Sequence, residues 1–132
     1  MIVVKSSRLE ACLTVIALSI FADDHVDVSE VETFMLAAQK LPVFKDESFS
    51  MTEIELLAWY KANKIRILTT KNSDDYKNWL PVQLDNVSNK DDQSVILNIM
   101  KDISLADEKY HVREKALIIF IARYWNITFS HV

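Results

Sequence analysis

A chain of 132 residues without a single glycine has given up most of the backbone shapes that need a positive φ. Roughly nine glycines are expected at average usage for this length. Glycine is the default residue where a chain turns tightly or approaches a ligand closely, so its absence removes several chemistries together. The sequence holds no phosphate-cradling loop, no dinucleotide-binding fingerprint, no G-x-S-x-G nucleophile elbow and no EF-hand loop with its turn glycine. Tight β-hairpins would have to rely on Asn or Asp. The chain is therefore expected to be helical and independent of nucleotides and organic cofactors.

The length suits one domain with one core, residues 1–132, with the core spanning about 8–127. Half the residues are hydrophobic and 26% are charged, the balance of an ordinary globular domain rather than a disordered tail or a disulfide-stapled miniprotein. Fifteen Lys and Arg against 19 Asp and Glu give a net charge of −4. With no basic run, nucleic acid is not an expected partner; cations and other proteins are. The lone Cys12 lies in an apolar stretch and reads as a small core residue in a reducing compartment, which places the protein in the cytoplasm. His25, His111 and His131 are far apart and sit in no zinc-binding pattern.

Near the N-terminus, Lys5 and Arg8 precede the apolar run Ala11–Ala22, and Ala17-Leu18-Ser19 has the look of a weak cleavage site. Glu10 opens the run and Asp23 and Asp24 close it, and it is too short to cross a bilayer. It reads as a buried helix, with no direct insertion in a membrane.

Comparison of the chain with itself supports that reading. At an offset of 84 residues, Ala22-Asp23-Asp24-His25-Val26-Asp27-Val28-Ser29-Glu30 aligns with Ala106-Asp107-Glu108-Lys109-Tyr110-His111-Val112-Arg113-Glu114. Each segment follows an apolar helix, Leu13–Ala22 or Val95–Ala106, and precedes a helix starting near Val28 or Val112. The plan is helix, acidic turn, helix, made twice. Asp27 and Glu30 have the spacing of a capping box. In the second copy His111 takes the cap position, and Glu114 keeps its place in the first helical turn, where a carboxylate complements the helix dipole.

Periodicity supplies the other helices. Val95, Ile96, Ile99, Met100 and Ile103 form one apolar stripe. The stretch Ala116–Ala122 is apolar on all sides, which predicts a central helix surrounded by others, ending at Arg123-Tyr124-Trp125. Ser50 and Glu53 read as a second capping box, followed by Ile54, Leu57, Ala58, Lys61, Ile65 and Leu68 at helical spacing, a long middle helix over about 51–70 ended by Lys71-Asn72-Ser73. Pro81 and the polar 86–92 segment bound a shorter element carrying Trp79 and Leu80, and Leu41–Phe49, with Pro42, reads as an ordered loop.

The order and spacing of the two A-D-x-x-[apolar]-x-x-x-E corners, the long helix between them and Leu41-Pro42-Val43-Phe44 after the second helix resemble the TerB family of tellurite-resistance proteins. The TerB-like domain of some membrane-bound J-domain co-chaperones is similar too. The resemblance covers roughly residues 8–127. It implies an all-α single domain with two pseudo-repeated halves around the long middle helix, and acidic residues at both corners. It also implies a role in stress or metal-ion response through protein partners, including membrane-associated complexes, with no established enzyme activity. The matching positions are Asp23, Asp27 and Glu30, then Asp107 and Glu114. The family pattern places glycine after the corner aspartate; here Asp24 and Glu108 stand instead. Asp tolerates a left-handed backbone better than Glu does, so the second corner is expected to turn differently.

Two readings of the corners follow. In one, Asp23, Asp24, Asp27, Glu30, Asp107, Glu108 and Glu114 supply oxygen ligands to a divalent cation such as Ca²⁺, Mg²⁺ or Mn²⁺. In the other they cap helix ends and are solvated, and the protein is a structural interaction module without metal. An unrecognised hydrolase using Glu30 and Glu114 as an acid/base pair would need both in one cleft, and no nucleophile with an evident base accompanies them. His25 and His111 read as exposed turn residues, Trp125 as core, and Trp59-Tyr60 as the aromatic pair best placed to contact a partner.

Overall fold

The computed structural model describes residues 6–21, 28–106 and 112–128. They form an all-α single-domain bundle, with no strand among the described residues. The helices are α1 (Ser7–Leu18), α2 (Val28–Ala37, continued by a 3₁₀ turn, Ala38–Lys40), α3 (Pro42–Asp46), α4 (Glu53–Lys71), α5 (Tyr76–Asp85), α6 (Lys90–Leu105) and α7 (Val112–Tyr124). None of them is long and apolar enough to cross a membrane.

The apolar run near the N-terminus is the centre of the molecule. Ser6 caps α1, its hydroxyl accepting from the Leu9 amide at 3.1 Å. From Ala11 to Phe21 every residue is buried, because α4, α5 and α6 all pack on α1. Of the stripe expected on α6, Ile96, Ile99, Met100 and Ile103 are buried and Val95 is partly so, and α6 joins α1, α2, α3 and α7. Helices α2 and α7 run from Val28 and Val112 among the described residues, in the two places where the duplicated pattern calls for a helix. The two copies also bury the same positions: Cys12 with Ile96, Leu13 with Leu97, Ile16 with Met100, Phe34 with Ile118, and Leu41 with Trp125.

Four sequence expectations need correction. The stretch Ala116–Ala122 is not a central helix. Within α7 only Glu114, Ile118, Ile121 and Ala122 are buried, and Ala116 and Phe120 face outward; a uniformly apolar run carries no period that could tell which side packs. The long helix α4 packs on α1, α2 and α5. Its expected stripe is rotated: Leu56, Trp59, Tyr60 and Ile67 are buried, while Ile54 and Ile65 are 79% and 77% exposed. Two stripes compete on this helix, and the one bearing the large aromatic rings buries more apolar area. Its capping box is Thr52 with Glu55, not Ser50 with Glu53. The Glu55 amide donates to Thr52 Oγ1 at 3.1 Å, and the Thr52 amide donates to Glu55 Oε1 at 2.9 Å. Pro42 does not sit in a loop; it opens α3 at the first helical position, where its missing N–H costs nothing.

The lack of glycine is met at helix C-termini by Ser48 (φ 55°) and Asn126 (φ 57°). After α3, the Phe49 amide bonds the Phe44 carbonyl at 3.1 Å and the Ser48 amide bonds Lys45 at 3.3 Å. After α7, Ile127 bonds Ala122 at 2.9 Å and Asn126 bonds Arg123 at 3.0 Å. Both are Schellman caps with a left-handed residue where glycine is usual. The Phe44 and Phe49 rings, 5.2 Å apart and edge to face, supply the accompanying apolar contact.

Candidate functional site

Of the acidic corner residues, Glu30 and Glu114 are described. Asp23, Asp24 and Asp27, with His25, and Asp107 and Glu108, with His111, lie outside the described residues, as does His131. Glu30 stands in the first turn of α2 and Glu114 in the first turn of α7. They are 1% and 0% exposed, and neither is an isolated charge. A surface cap would be solvated; these two carboxylates have been drawn into the core at the same place in both copies.

The first of them borders an aromatic cluster. Tyr60 stacks on Phe21 at 5.9 Å and lies 6.0 Å from Phe34, which stacks on Trp59 at 6.1 Å. Burial, and secondarily the negative charge of Glu30, push the Tyr60 hydroxyl above its ordinary pKa of 10.0. Its oxygen is buried without a hydrogen-bond partner among the described residues. Trp59-Tyr60 is therefore a core pair rather than a partner contact. The Trp59 indole N–H donates to Glu10 Oε2 at 2.8 Å, and that bond fixes the ring inward.

Two surface features were not anticipated. The first is a polar cleft of about 710 Å³ at the starts of α1 and α6, lined among others by Arg8, Glu10, Asn63, Arg66, Asn89 and Asp92. Arg8 is its fixed point. Nε donates to Asp92 Oδ2 at 2.7 Å, and Nη2 donates to Asp92 Oδ1 at 3.0 Å and to Asp46 Oδ2 at 2.9 Å. Asn89 holds the other side of the pair, accepting from the amides of Asp91 and Asp92 at 2.9 and 3.1 Å. The carboxylates beside the Arg8 guanidinium raise its pKa, the Asp92 hydrogen bond contributing most. The signal was present in the sequence, since residues 8 and 92 are 84 apart, the offset of the repeat.

The second is an apolar groove of about 490 Å³ between α5 and α7. These two helices run the same way and are pinned at their C-terminal ends. The Tyr124 hydroxyl donates to Asp85 Oδ1 at 2.8 Å, and the buried Trp125 N–H donates to the Leu84 carbonyl at 3.0 Å. Toward their starts they part, because α5 packs on α1 and α4 while α7 packs on α6. Phe120, 48% exposed, stands on the wall of the opening and lies 6.3 Å from the Tyr124 ring.

Nothing matches. Set against protein-family models, curated proteins and solved structures, the chain finds no counterpart in any of the three. Among the described residues no three His, Cys, Asp or Glu side chains are grouped so as to hold a metal ion. A complete set of ligands at either corner would have to draw on Asp23, Asp24 and Asp27, or on Asp107 and Glu108.

Proposed function

We propose that this chain is a non-catalytic, TerB-like stress-response module that works by docking on a protein partner, with the α5–α7 groove as the docking face. The observation that carries this reading is Phe120. Its chemistry belongs in a core, it is half exposed on a helix that is otherwise anchored, and it stands beside apolar neighbours in a concave opening. Large apolar surface of that kind is where soluble proteins meet partners. The test is a photoreactive amino acid placed at position 120, with position 65 on α4, also exposed, as the control. In the native cell, light-dependent cross-links to one defined protein from position 120 and not from 65 are expected. Equal, diffuse labelling from both positions refutes the docking face.

A divalent cation at the corners is the second reading, favoured by the equivalent burial of Glu30 and Glu114. The Tyr60 oxygen, buried and unpaired among the described residues in the field of Glu30, offers a further neutral donor at the first corner. Hard cations take several oxygens, so Glu30 and Tyr60 alone do not complete a site and the neighbouring aspartates would supply the rest.

A further inference from the structure

We propose that the polar cleft at the starts of α1 and α6 binds a free α-amino acid with an uncharged polar side chain, its ammonium held by Glu10 and its carboxylate by Arg66. The inference is independent of the docking face on α5 and α7. At about 710 Å³ the cleft has the volume of a small-molecule site, and three of its properties choose the ligand.

The first is a pair of charges held apart. Two ion pairs line the cleft, and they differ. Arg8 and Asp92 meet at 2.7 and 3.0 Å and satisfy each other. Glu10 Oε1 and Arg66 Nη2 stand 3.9 Å apart, on side chains 39% and 49% exposed, too far for a hydrogen bond. A neutral frame keeps them there. The Trp59 indole N–H donates to Glu10 Oε2 at 2.8 Å, Asn63 Nδ2 donates to the Trp59 carbonyl at 2.8 Å, and Arg66 Nη2 donates to Asn63 Oδ1 at 3.1 Å. Trp59, Asn63 and Arg66 fall at i, i+4 and i+7, on one side of α4. The carboxylate and the guanidinium are thus positioned before any ligand arrives, which lowers the cost of binding one. An α-amino acid carries its ammonium and its carboxylate side by side on one carbon, the complement of this pair.

The second is charge balance. Arg8 and Arg66 stand against Glu10 and Asp92 in the lining, so the cleft has no net charge to offer a simple ion. An anion on Arg66 lies beside Glu10, and a cation on Glu10 lies beside Arg66; each gains from one group and is repelled by the other. A zwitterion gains from both.

The third is the remaining wall, which consists largely of amides and hydroxyls: Gln83, Asn86, Ser88 and Asn89. Asn89 commits its Oδ1 to the amides of Asp91 and Asp92, so the N–H donors of its side chain are what it presents to a ligand. Among the described residues no aromatic ring lines the cleft. A large apolar side chain would find little to pack against, whereas the amide or hydroxyl of glutamine, asparagine or serine finds donors and acceptors of its own kind.

The test is isothermal titration calorimetry of the whole chain with L-glutamine, L-asparagine and L-serine. At least one is expected to bind with a Kd below about 1 mM. For the tightest of the three, the N-acetyl and carboxamide forms, which lack one charge each, and D-glucose, which lacks both, should bind at least tenfold more weakly. Glu10→Gln keeps an oxygen for the Trp59 N–H and removes the negative charge; Arg66→Gln removes the positive one. Each should weaken binding at least tenfold, while Lys64→Gln, exposed on α4 and outside the cleft, leaves it unchanged. Circular dichroism confirms that each variant is folded. In a heteronuclear NMR spectrum the Trp59 indole N–H resonance, assigned with Trp59→Phe, should move saturably with the ligand, because its acceptor is the carboxylate that takes the ammonium. Absence of saturable binding by all three amino acids overturns the inference, as does equal binding of the N-acetyl or carboxamide form, or undiminished binding to Glu10→Gln or to Arg66→Gln. Binding of glucose alone overturns it too and makes the cleft a site for uncharged polyols. Cross-linking from position 120, outside this cleft, reads the docking face separately, so either proposal can fall without the other.

Discussion

Removing Arg8 is the perturbation with the most to reveal about how the two copies are joined. Asp92 is 1% exposed, and both of its oxygens accept from the Arg8 guanidinium. In Arg8→Met the carboxylate keeps its burial and its place in the first turn of α6 but loses its counter-charge. Stranding a buried charge costs about 3–5 kcal/mol. The Arg8 side chain is 26% exposed, so water can reach the vacated position, and the lower half of that range, about 3–4 kcal/mol, is expected. The lost contact to Asp46, whose side chain is 51% exposed, adds at most about 1 kcal/mol. Asp92→Leu alone leaves an arginine that can turn to Asp46 or to water, so its loss should be smaller.

The double variant Arg8→Met, Asp92→Leu decides the matter. Two apolar side chains in place of a buried pair carry no stranded charge, so stability should return to within about 1–2 kcal/mol of the parent. The assay is urea unfolding followed by tryptophan emission and by far-UV circular dichroism, and the quantity read is the coupling energy of the cycle, expected at about 2–3 kcal/mol. At this chain length each kcal/mol moves the melting temperature by roughly 3 °C, so a thermal scan gives an independent check. A coupling energy below about 0.5 kcal/mol, or a double variant no more stable than Arg8→Met, refutes the view that this contact joins the copies through a buried charge pair.

Cys12 should be inert to thiol reagents in the folded protein, and its labelling rate should rise with urea in step with unfolding. Burial, and next the negative charge of Asp92, hold its pKa at about 12 instead of 9.0. Because the folded value is raised, the contribution to stability is whole below pH 9 and is lost as pH climbs toward 12, by up to roughly 4 kcal/mol; Cys12→Ala should flatten that part of a stability-versus-pH curve. Ser48→Gly should stabilise by about 0.5–1 kcal/mol, since glycine occupies a left-handed position without the steric cost serine bears, and unchanged or lower stability in urea would count against the strain. For the corners, millimolar Ca²⁺, Mg²⁺ or Mn²⁺ should raise the melting temperature of metal-free protein if the cation reading holds, with Glu30→Gln and Glu114→Gln abolishing the rise; a flat titration removes that reading and leaves the glutamates as helix-end groups.

What could be read from the residues divides along a physical line. The places of α2 and α7, the stripe on α6 and the burial of α1 were legible because each depends on local order: a repeated corner, a 3.6-residue period, an apolar run bracketed by charge. The orientation of α4 was not, because Ile54 and Ile65 offered a stripe as regular as that of Leu56, Trp59, Tyr60 and Ile67. The choice between them came from how much each could bury against α1 and α2. The outward turn of Phe120 was hidden for a related reason: in a stretch apolar on all sides only the neighbours decide which side is covered, and α5 covers α7 at one end alone.

The candidate sites follow the same division. The acidic corners announced themselves by repetition, and the burial of Glu30 and Glu114 is the part that repetition alone could not supply. The contact between residues 8 and 92 was encoded in the offset of 84 yet invisible without a rule for reading it. In a duplicated fold, positions that face their own counterpart meet as like with like: arginine would oppose arginine, or aspartate would oppose aspartate, and either pair repels. Such positions are the first at which two copies must diverge, and opposite charge is the divergence that turns repulsion into a bond. Arg8 and Asp92 are that case, joined at 2.7 and 3.0 Å. Unlike charges at that pair of positions hold the seam closed, where like ones would push it open.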